Sequence, residues 1–396
     1  MTSTEIIRQT EALRRLPPYV FAELDRRKAA ARARGAKLID LGIGSPDLPI
    51  APGILDALTE AAHDPGAGGY PPFRGVPRFF DSIERFMLSR FGVDVDAPRE
   101  ALALSGAKEG IAQLMMAVCA PGDVVLVPEI YYPVYARAAW LAGADVRWVR
   151  MRADNDFLLD LDAIPEEDAR RARLLIVNYP NNPTGAFAEK SFYERAVRFA
   201  RETGTLLMSD LAYSELTFGG RPAPSALECE GARDVTIEFH SFSKTYSMAG
   251  LRIGFAVGNA DAIEALAAYR TNVGYGTPTA VQHAASYALD HHAELVPPKV
   301  NAYRERRDAM AAAFAAAGCT IRVPQAAMYL WLEVPHGVDD WEWVQGLIDE
   351  DGVVVTPGVA FGDGGKGFFR ISLVRDEATL RQAAAAIANR RQRMTR

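Results

Sequence analysis

Between residues 101 and 243, short apolar runs alternate with helix-length stretches, and this alternation narrows the fold more than any other feature of the chain. ALALSG is followed by AKEGIAQLMMAVCA, then by DVVLVP, YYPVYARAAWLAG and ADVRWVRM; RLLIVNYP, TLLMSD and TIEFHSFS continue the series. Runs of strand length without polar alternation predict strands covered on both faces, hence a mostly parallel sheet between layers of helices. Each run ends in polar residues, and in open α/β sheets ligands sit beyond the carboxyl ends of the strands.

The flanks read differently. YVFAELDRRKAAARAR predicts an amphipathic helix over 19–34, its Arg/Lys run forming a solvated face, and KLIDLGIGSPDLP a strand opening into a loop. After about residue 290 come a long Ala-rich helix, a strand at MYLWLEVP, a helix at DDWEWVQGLIDEDG, strands at VVVTPG and FFRISLV, and a closing helix. Single cores stop growing at roughly 250 residues, so 396 residues predict two units: a large domain over 45–290, and a small α+β domain over 291–396 joined by the N-terminal segment 1–44.

Forty-four basic and fifty acidic residues leave a net charge of −6, which offers no field to attract nucleic acid or an anionic membrane. Cys119, Cys229 and Cys319 lie far apart, without zinc-site spacing, and read as buried free thiols; His291 and His292 read as helix-end polar residues, so no metal is expected. MTSTEIIRQTEALRRL lacks the apolar stretch of a signal peptide, and no run of about 18 apolar residues occurs, so a soluble cytoplasmic protein is expected. FGDGGKG lacks P-loop spacing and reads as a flexible turn, RRQRMTR as a frayed solvated end, and Met115, Met116 and Trp140 as core.

Four polar constellations fall where strands end. In SFSKTYSMAGLRIGF, Lys244 stands beside Ser241 and Ser243 with Arg252 downstream, a set suited to a phosphate dianion, although a lone lysine is more often solvated. NYPNNPTG at 178–185 is rich in turn formers and on its own also reads as a tight loop. In MSDLAYSEL, Asp210 closes a buried strand, where it needs a cationic or hydrogen-bonding partner. LSGAKEG opens a helix at about Ala107, whose free N–H groups and dipole favour an anion, although many such turns bind nothing.

In order and approximate spacing, the glycine-opened helix, YYPVY, NNPTG, Asp210-x-x-Tyr213 and SFSK with Arg252 resemble the fold-type I pyridoxal-phosphate aminotransferases of class I and II, from LPPYVF near the start to FFRISLV near the end. The resemblance implies an α/β fold: a large domain with a mostly parallel seven-stranded sheet flanked by helices, plus a smaller α+β domain. It implies pyridoxal 5'-phosphate as cofactor, with Lys244 forming the Schiff-base link and, once displaced by substrate, shuttling the proton between Cα and C4′ in a ping-pong transfer. Asp210 would keep the pyridine nitrogen protonated, Asn182 and Tyr213 would donate to the phenolic oxygen, and Tyr132 would stack on the ring. Gly106, the N–H groups of Ala107 and Lys108, the hydroxyls of Ser241 and Ser243 and the Arg252 guanidinium would hold the phosphate. Arg370 matches the clamp on the substrate α-carboxylate, Gly44 in LGIGSPD the loop that lets backbone approach the substrate, and Tyr70 the tyrosine that reaches a neighbouring subunit's phosphate, implying a homodimer with shared active sites.

LPPYVFAELD, LGIGSPDLP and NYPNNPTG are similar to the subgroup of LL-diaminopimelate and alanine aminotransferases, which serves amino-acid biosynthesis; PEIYYPVY departs from the more usual DPGYPVY-type turn. The expected reaction moves an α-amino group between an L-amino acid and a 2-oxo acid, with glutamate and 2-oxoglutarate as one pair and a diaminopimelate-, alanine- or aspartate-type donor. Arg270, Asn272 and Tyr275 in YRTNVGYG are candidates to enter a neighbouring site, where an arginine would favour a dicarboxylic donor; Tyr19 and Asn182 are further substrate contacts. A β-C–S lyase or related synthase would share Lys244, Asp210 and Arg370. A ligand-sensing regulator would need a DNA-binding domain, for which roughly the first forty residues are too few.

Overall fold

The computed structural model describes residues 8–394; the stretch 1–7 of the polar N-terminal run, and Thr395 and Arg396 of RRQRMTR, lie outside the described residues. Helix α1 (Val20–Ala33) leads into strand β1 (Ile39–Asp40). Its basic run is not wholly solvated: Lys28 is buried, with its ammonium 2.6 Å from Asp25 and 3.0 Å from Asp40. Helix α2 (Pro77–Phe91) packs its phenylalanine-rich face into the core. The alternating region then gives β2 (Ala101–Leu104), α3 (Ala107–Val118), β3 (Val124–Pro128), α4 (Val134–Leu141), β4 (Asp145–Val149), β5 (Ala172–Val177), β6 (Leu206–Asp210) and β7 (Thr236–Ser241), all on the apolar runs read from sequence.

A short helix α5 (Phe242–Thr245) follows β7, and the chain returns as β8 (Gly254–Gly258), a strand that the run-by-run reading passed over. The seven strands lie in the order β2-β8-β7-β6-β5-β3-β4, with β8 antiparallel to both its neighbours and the other six sharing one direction. Gly254 lets β8 enter this slot, since a Cβ there would come within 2.6 Å of the His240 carbonyl oxygen. On α3, Ile111, Leu114 and Met115 are buried, but Met116 lies one residue further round the helix and is exposed, contrary to expectation.

Beyond helix α6 (Ala260–Val273) come α7 (His292–Ala316), β9 (Tyr329–Glu333), α8 (Asp340–Glu350), β10 (Val353–Val354), β11 (Thr356–Pro357), β12 (Phe368–Ser372) and α9 (Glu377–Met394). VVVTPG, expected as one strand, divides. Its β10 pairs in parallel with β1, while β11 joins β12 and β9 in an antiparallel sheet. One apolar cluster accordingly unites Leu24, Ala31 and Leu41 with Trp343, Leu347, Val354 and Phe369.

Three smaller readings need correction. The glycine-rich FGDGGKG stretch forms tight turns packed on the segment after β3: Tyr131 N–H donates to the Phe361 carbonyl at 2.8 Å, and a Cβ on Gly362 would strike the Glu129 carbonyl oxygen at 2.6 Å. Arg390, in the presumed frayed end, is buried and pairs with Glu350 and Asp351 at 2.9 and 3.1 Å. The three cysteines are free, but only Cys229 is buried; Cys119 and Cys319 are half-buried. No helix among the described residues is long and apolar enough to cross a membrane.

One buried charge network ties the elements around α5 together. Glu215 accepts from Arg90 Nε at 3.0 Å and lies 3.1 Å from His292 Nε2, whose Nδ1 pairs with the Tyr246 hydroxyl at 2.8 Å. Burial works to raise the Glu215 pKa, but His292 and Arg90 hold it at about 2, below its ordinary 4.5. A carboxyl depressed in the folded state stabilises above its ordinary value and loses that contribution as pH falls toward its folded value. Between pH 4.5 and about 2, melting temperatures should therefore fall less steeply for Glu215→Gln than for the parent chain, starting from a lower neutral value; parallel acid profiles would contradict this.

Candidate active site

The carboxyl ends of β2, β3, β5, β6 and β7 surround a cavity of about 230 Å³ lined by Ala107, Lys108, Tyr132, Tyr135, Asn178, Asn182, Asp210, Tyr213, Ser241, Ser243, Lys244 and Arg252. The four sequence-distant constellations thus meet at one place because β5, β6 and β7 are adjacent in the sheet and β2 lies one strand beyond, across the reversed β8. At one pole is Asp210, the last residue of β6, which is buried. Its carboxylate accepts from the Tyr135 hydroxyl at 2.6 Å and the Ala212 N–H at 3.1 Å, while Asn178 donates to its backbone carbonyl at 2.8 Å. Burial raises its pKa against those two bonds. Among the described residues no cationic side chain forms an ion pair with it, so the carboxylate has room for one cation, as a protonated ring nitrogen would supply.

At another pole the backbone and a guanidinium converge. Gly106 has φ +98°, a conformation that favours glycine, and a Cβ there would stand 2.4 Å from Arg252 Nη2. Arg252 is held by the Ala249 carbonyl at 3.0 Å, and Ser241 caps α5 by accepting from the Ser243 N–H at 3.2 Å. With the start of α3 at Ala107, this gives backbone N–H groups, two hydroxyls and one cation around a single space, a donor set that fits a phosphate dianion.

Lys244 lies on α5 between these poles. Burial lowers its pKa, Arg370 and Arg252 lower it further, and Tyr329 opposes them. Its Nζ donates to the carbonyl of Gly44, and a side chain at Gly44 would collide with the Tyr329 hydroxyl at 2.3 Å. Arg370 on β12 is 3% exposed. Its Nη1 donates to Asn182 Oδ1 at 2.8 Å and its Nη2 to the Gly42 carbonyl at 2.7 Å, while its guanidinium lies 4.3 Å from the Tyr329 ring centre and 4.7 Å from that of Phe361. Its Nε is buried without a partner, a donor left for a ligand. With Asn182 Oδ1 engaged by Arg370, its Nδ2 donates to the Tyr213 hydroxyl at 3.4 Å, which in turn lies 2.8 Å from that of Tyr329.

Three neighbours of these groups escaped the sequence reading: Tyr135, Asn178 and Tyr329. Tyr135 ends the same YYPVY stretch as Tyr132, and Asn178 opens NYPNNPTG, so the quoted motifs contained them without showing which side chain would turn inward. Of the residues expected to read the substrate, Tyr19 is exposed and lies beside the lining residue Lys108, its ring 5.8 Å from Lys108 Nζ and 5.2 Å from the Arg137 guanidinium. Arg270 is corrected: it is buried in its own chain and donates to the Ala103 carbonyl, so it is not free to enter another site. Asn272 is exposed and bonds the Ala268 carbonyl at 2.8 Å. Tyr70 lies outside the cavity, 79% exposed, and stacks on Tyr275 with ring centres 4.2 Å apart.

The geometry has clear counterparts among known proteins. A family profile described as aminotransferase class I and II matches residues 36–387. An LL-diaminopimelate aminotransferase of Desulforudis audaxviator is 45% identical over 365 residues, covering 92% of this chain and 93% of that one; one of Aquifex aeolicus is 43% identical over 380 residues, with 96% and 98% covered. Among solved structures, substrate-bound BacF of Bacillus subtilis superposes with a TM-score of 0.94 at 34% identity, covering 98% of both chains. A probable N-succinyldiaminopimelate aminotransferase of Thermus thermophilus gives 0.88 at 40%, covering 93% of this chain and 99% of that one. From the geometry at Gly106, Gly106→Ala should weaken cofactor retention about tenfold or more, since both the backbone angle and the Arg252 seat are disturbed; equilibrium dialysis against pyridoxal 5'-phosphate measures it, and unchanged affinity would remove the loop from the phosphate site.

Proposed function

Because the chain belongs to the class I and II aminotransferases and is a pyridoxal-phosphate-dependent transaminase, we propose that Lys244, Asp210 and Arg370 carry its reaction and that its donor is a diamino dicarboxylate of the LL-diaminopimelate kind. The observation that carries the assignment of residues is the meeting, in one cavity, of a half-buried lysine of lowered pKa, a buried carboxylate that forms no ion pair among the described residues, and a phosphate-shaped donor set.

The cofactor, when bound, supplies an electron-withdrawing ring that stabilises negative charge at the substrate's Cα. Asp210 accepts a hydrogen bond from the ring N–H and keeps that proton in place, while Tyr135 and the Ala212 N–H hold its carboxylate still. Lys244 takes the proton leaving Cα: burial favours its neutral amine, so it can accept one. Arg370 is pre-set by Gly42 and Asn182 and orients the α-carboxylate; Asn182 Nδ2 and Tyr213 offer donors to the phenolic oxygen, and Tyr132 covers the ring. Gly106, Ala107, Lys108, Ser241, Ser243 and Arg252 hold the phosphate.

Support for the donor comes from relatives 45% and 43% identical along nearly the whole chain. With Arg270 buried, the cation facing the mouth is Lys108, which makes no ion pair among the described residues and lies 5.8 Å from the ring centres of both Tyr19 and Tyr132. A second carboxylate fits there. The proposal includes a division into 1–44, 45–290 and 291–396, and a cytoplasmic homodimer in which the exposed Tyr70 and Asn272 face a second copy and complete its site.

Single amino acids mixed with holoenzyme test the donor: LL-diaminopimelate should convert the bound cofactor to its amine form fastest, ahead of alanine, aspartate and the N-succinylated compound. Fastest conversion by another of these would overturn the donor while leaving transamination intact; pyruvate and ammonia released without any oxo-acid acceptor would favour a lyase. Lys244→Ala should abolish the covalently held cofactor's absorbance and turnover with the fold retained. Arg370→Ala should raise KM for every donor together by roughly a hundredfold, the loss of one charge-assisted bidentate pair, and an effect confined to one donor would show that it reads the side chain instead.

A further inference from the structure

Helix α7 (His292–Ala316) runs from one apolar cluster into another: Val296 packs with Phe86, Phe242 and Tyr246, whereas Tyr303, Met310 and Phe314 pack with Tyr329, Trp343 and Phe369. His292, Lys299 and Arg306 recur along it every seven residues, a spacing that turns successive side chains by only about 20°, so all three lie along one face. Each ends on a segment that bears a proposed site residue. His292 bonds Tyr246, two residues beyond Lys244, at 2.8 Å. Arg306 forks onto Asp47 at 2.7 and 2.8 Å and donates to the Leu373 carbonyl at 3.0 Å, three residues beyond Arg370.

Lys299 is the middle member, and its contacts are unusual for a lysine. Its Nζ donates to the Ser247 hydroxyl at 2.8 Å and to the Pro49 carbonyl at 2.8 Å, and it forms no ion pair among the described residues, because Asp47 is engaged by Arg306. Burial lowers its pKa to about 8, only partly opposed by Asp47, so seating a cation here works against folding. Ser247 is a non-glycine residue held at φ +60°, midway along the turn from Lys244 to Arg252, which is itself at φ +53°. Pro49 closes the loop that begins at Gly44, whose carbonyl accepts from Lys244. One ammonium therefore spans the two backbone segments that carry both partners of the Lys244–Gly44 bond.

We propose that Lys299 is a positioning residue for transamination, fastening the turn 244–252 to the loop 44–49 so that the Lys244 amine, the Arg252 phosphate seat and the Gly44 backbone keep one register. The inference rests on the reading of Lys244 above. It differs from a purely structural role in one respect: a methionine of similar length should suit the apolar surroundings as well as the lysine, and Ser247 and Pro49 are exposed enough for water to take over their bonds.

The test compares the parent chain with Lys299→Met, Lys299→Arg and Lys244→Ala. In cofactor-free protein, Lys299→Met should speed amide hydrogen exchange in both 44–49 and 244–252 with a melting temperature within about 2 °C of the parent. In holoenzyme, kcat should fall about tenfold or more with a smaller change in KM. The pH midpoint of the absorbance of the Lys244-held cofactor should move by about half a unit or more, although the groups acting on that lysine, Tyr329, Arg370 and Arg252, are unaltered. Lys299→Arg should restore most of each loss. Unchanged exchange and midpoint in Lys299→Met, or a melting temperature that falls in step with activity and is not rescued by arginine, would overturn the proposal. Failure of the underlying site reading is distinguished by Lys244→Ala: retention of its absorbance would remove Lys244 from the site, while the cofactor-free exchange result would still judge the fastening.

Discussion

Two opposite ionisable groups, the buried Asp210 and the half-buried Lys244, sit at the ends of neighbouring strands and do not pair with each other, and much of the surrounding architecture follows from keeping them so. A carboxylate taken out of water without an ion pair is costly, and the chain offsets that cost chiefly with hydrogen bonds: the Tyr135 hydroxyl and the Ala212 N–H on the carboxylate, and Asn178 on the adjacent carbonyl. A lysine in the same position loses basicity, and its Nζ rests on a backbone carbonyl, which lends it no opposing charge. In the proposed reaction both groups are then half of a pair that the cofactor completes, one by supplying a cation to Asp210 and one by engaging the amine.

The sheet makes this arrangement possible. Parallel strands put their carboxyl ends on one edge, and the reversed β8 returns the chain so that Arg252, just before it, faces the glycine-opened start of α3. The C-terminal third contributes Arg370 and Tyr329 from paired strands β12 and β9, and these close a polar relay from Gly42 through Arg370 and Asn182 to Tyr213 and Tyr329. Tyr329 has three duties at once: its ring faces the Arg370 guanidinium, its hydroxyl meets Tyr213, and its bulk excludes any side chain at Gly44. An arginine buried against aromatic faces holds its planar fork in a fixed orientation, which is what recognition of a carboxylate requires.

How much of this was legible in the sequence depends on the kind of signal. Apolar runs such as DVVLVP and RLLIV announce buried strands because they are too short for a buried helix, are rich in branched residues and lead into turn formers. GFAVG was passed over because glycine at both ends and a small alanine within give no β-branched run, although the strand is wholly buried. The site residues that bear ligand chemistry stood out through motif spacing. Their supports did not, since a tyrosine hydroxyl aimed at an aspartate looks, in sequence, like any core aromatic. Arg270 shows the reverse error: it was a candidate to enter a neighbouring site, but it lies within α6 and turns its charge onto a strand carbonyl. Arg390 was likewise assigned to a solvated end when acidic partners waited for it in a distant segment.

The loss of Arg270 as a candidate changes where specificity has to come from. In the proposed reaction the α-carboxylate and the cofactor use up Arg370 and Arg252, and both side chains are fixed by contacts inside the chain. On the same reading a donor's far end meets the side of the cavity that bears Lys108, beside which Tyr19 lies between two cations and Arg137 grips the carbonyls of Pro17 and Pro18 at 3.0 Å each. On the proposed reading, that grip would make the N-terminal segment part of the substrate wall, and selectivity between donors would rest on a stretch of chain anchored from outside the cavity. A wall of this kind can be changed without touching Lys244, Asp210 or Arg370, which is how one reaction can be kept while its substrates diverge.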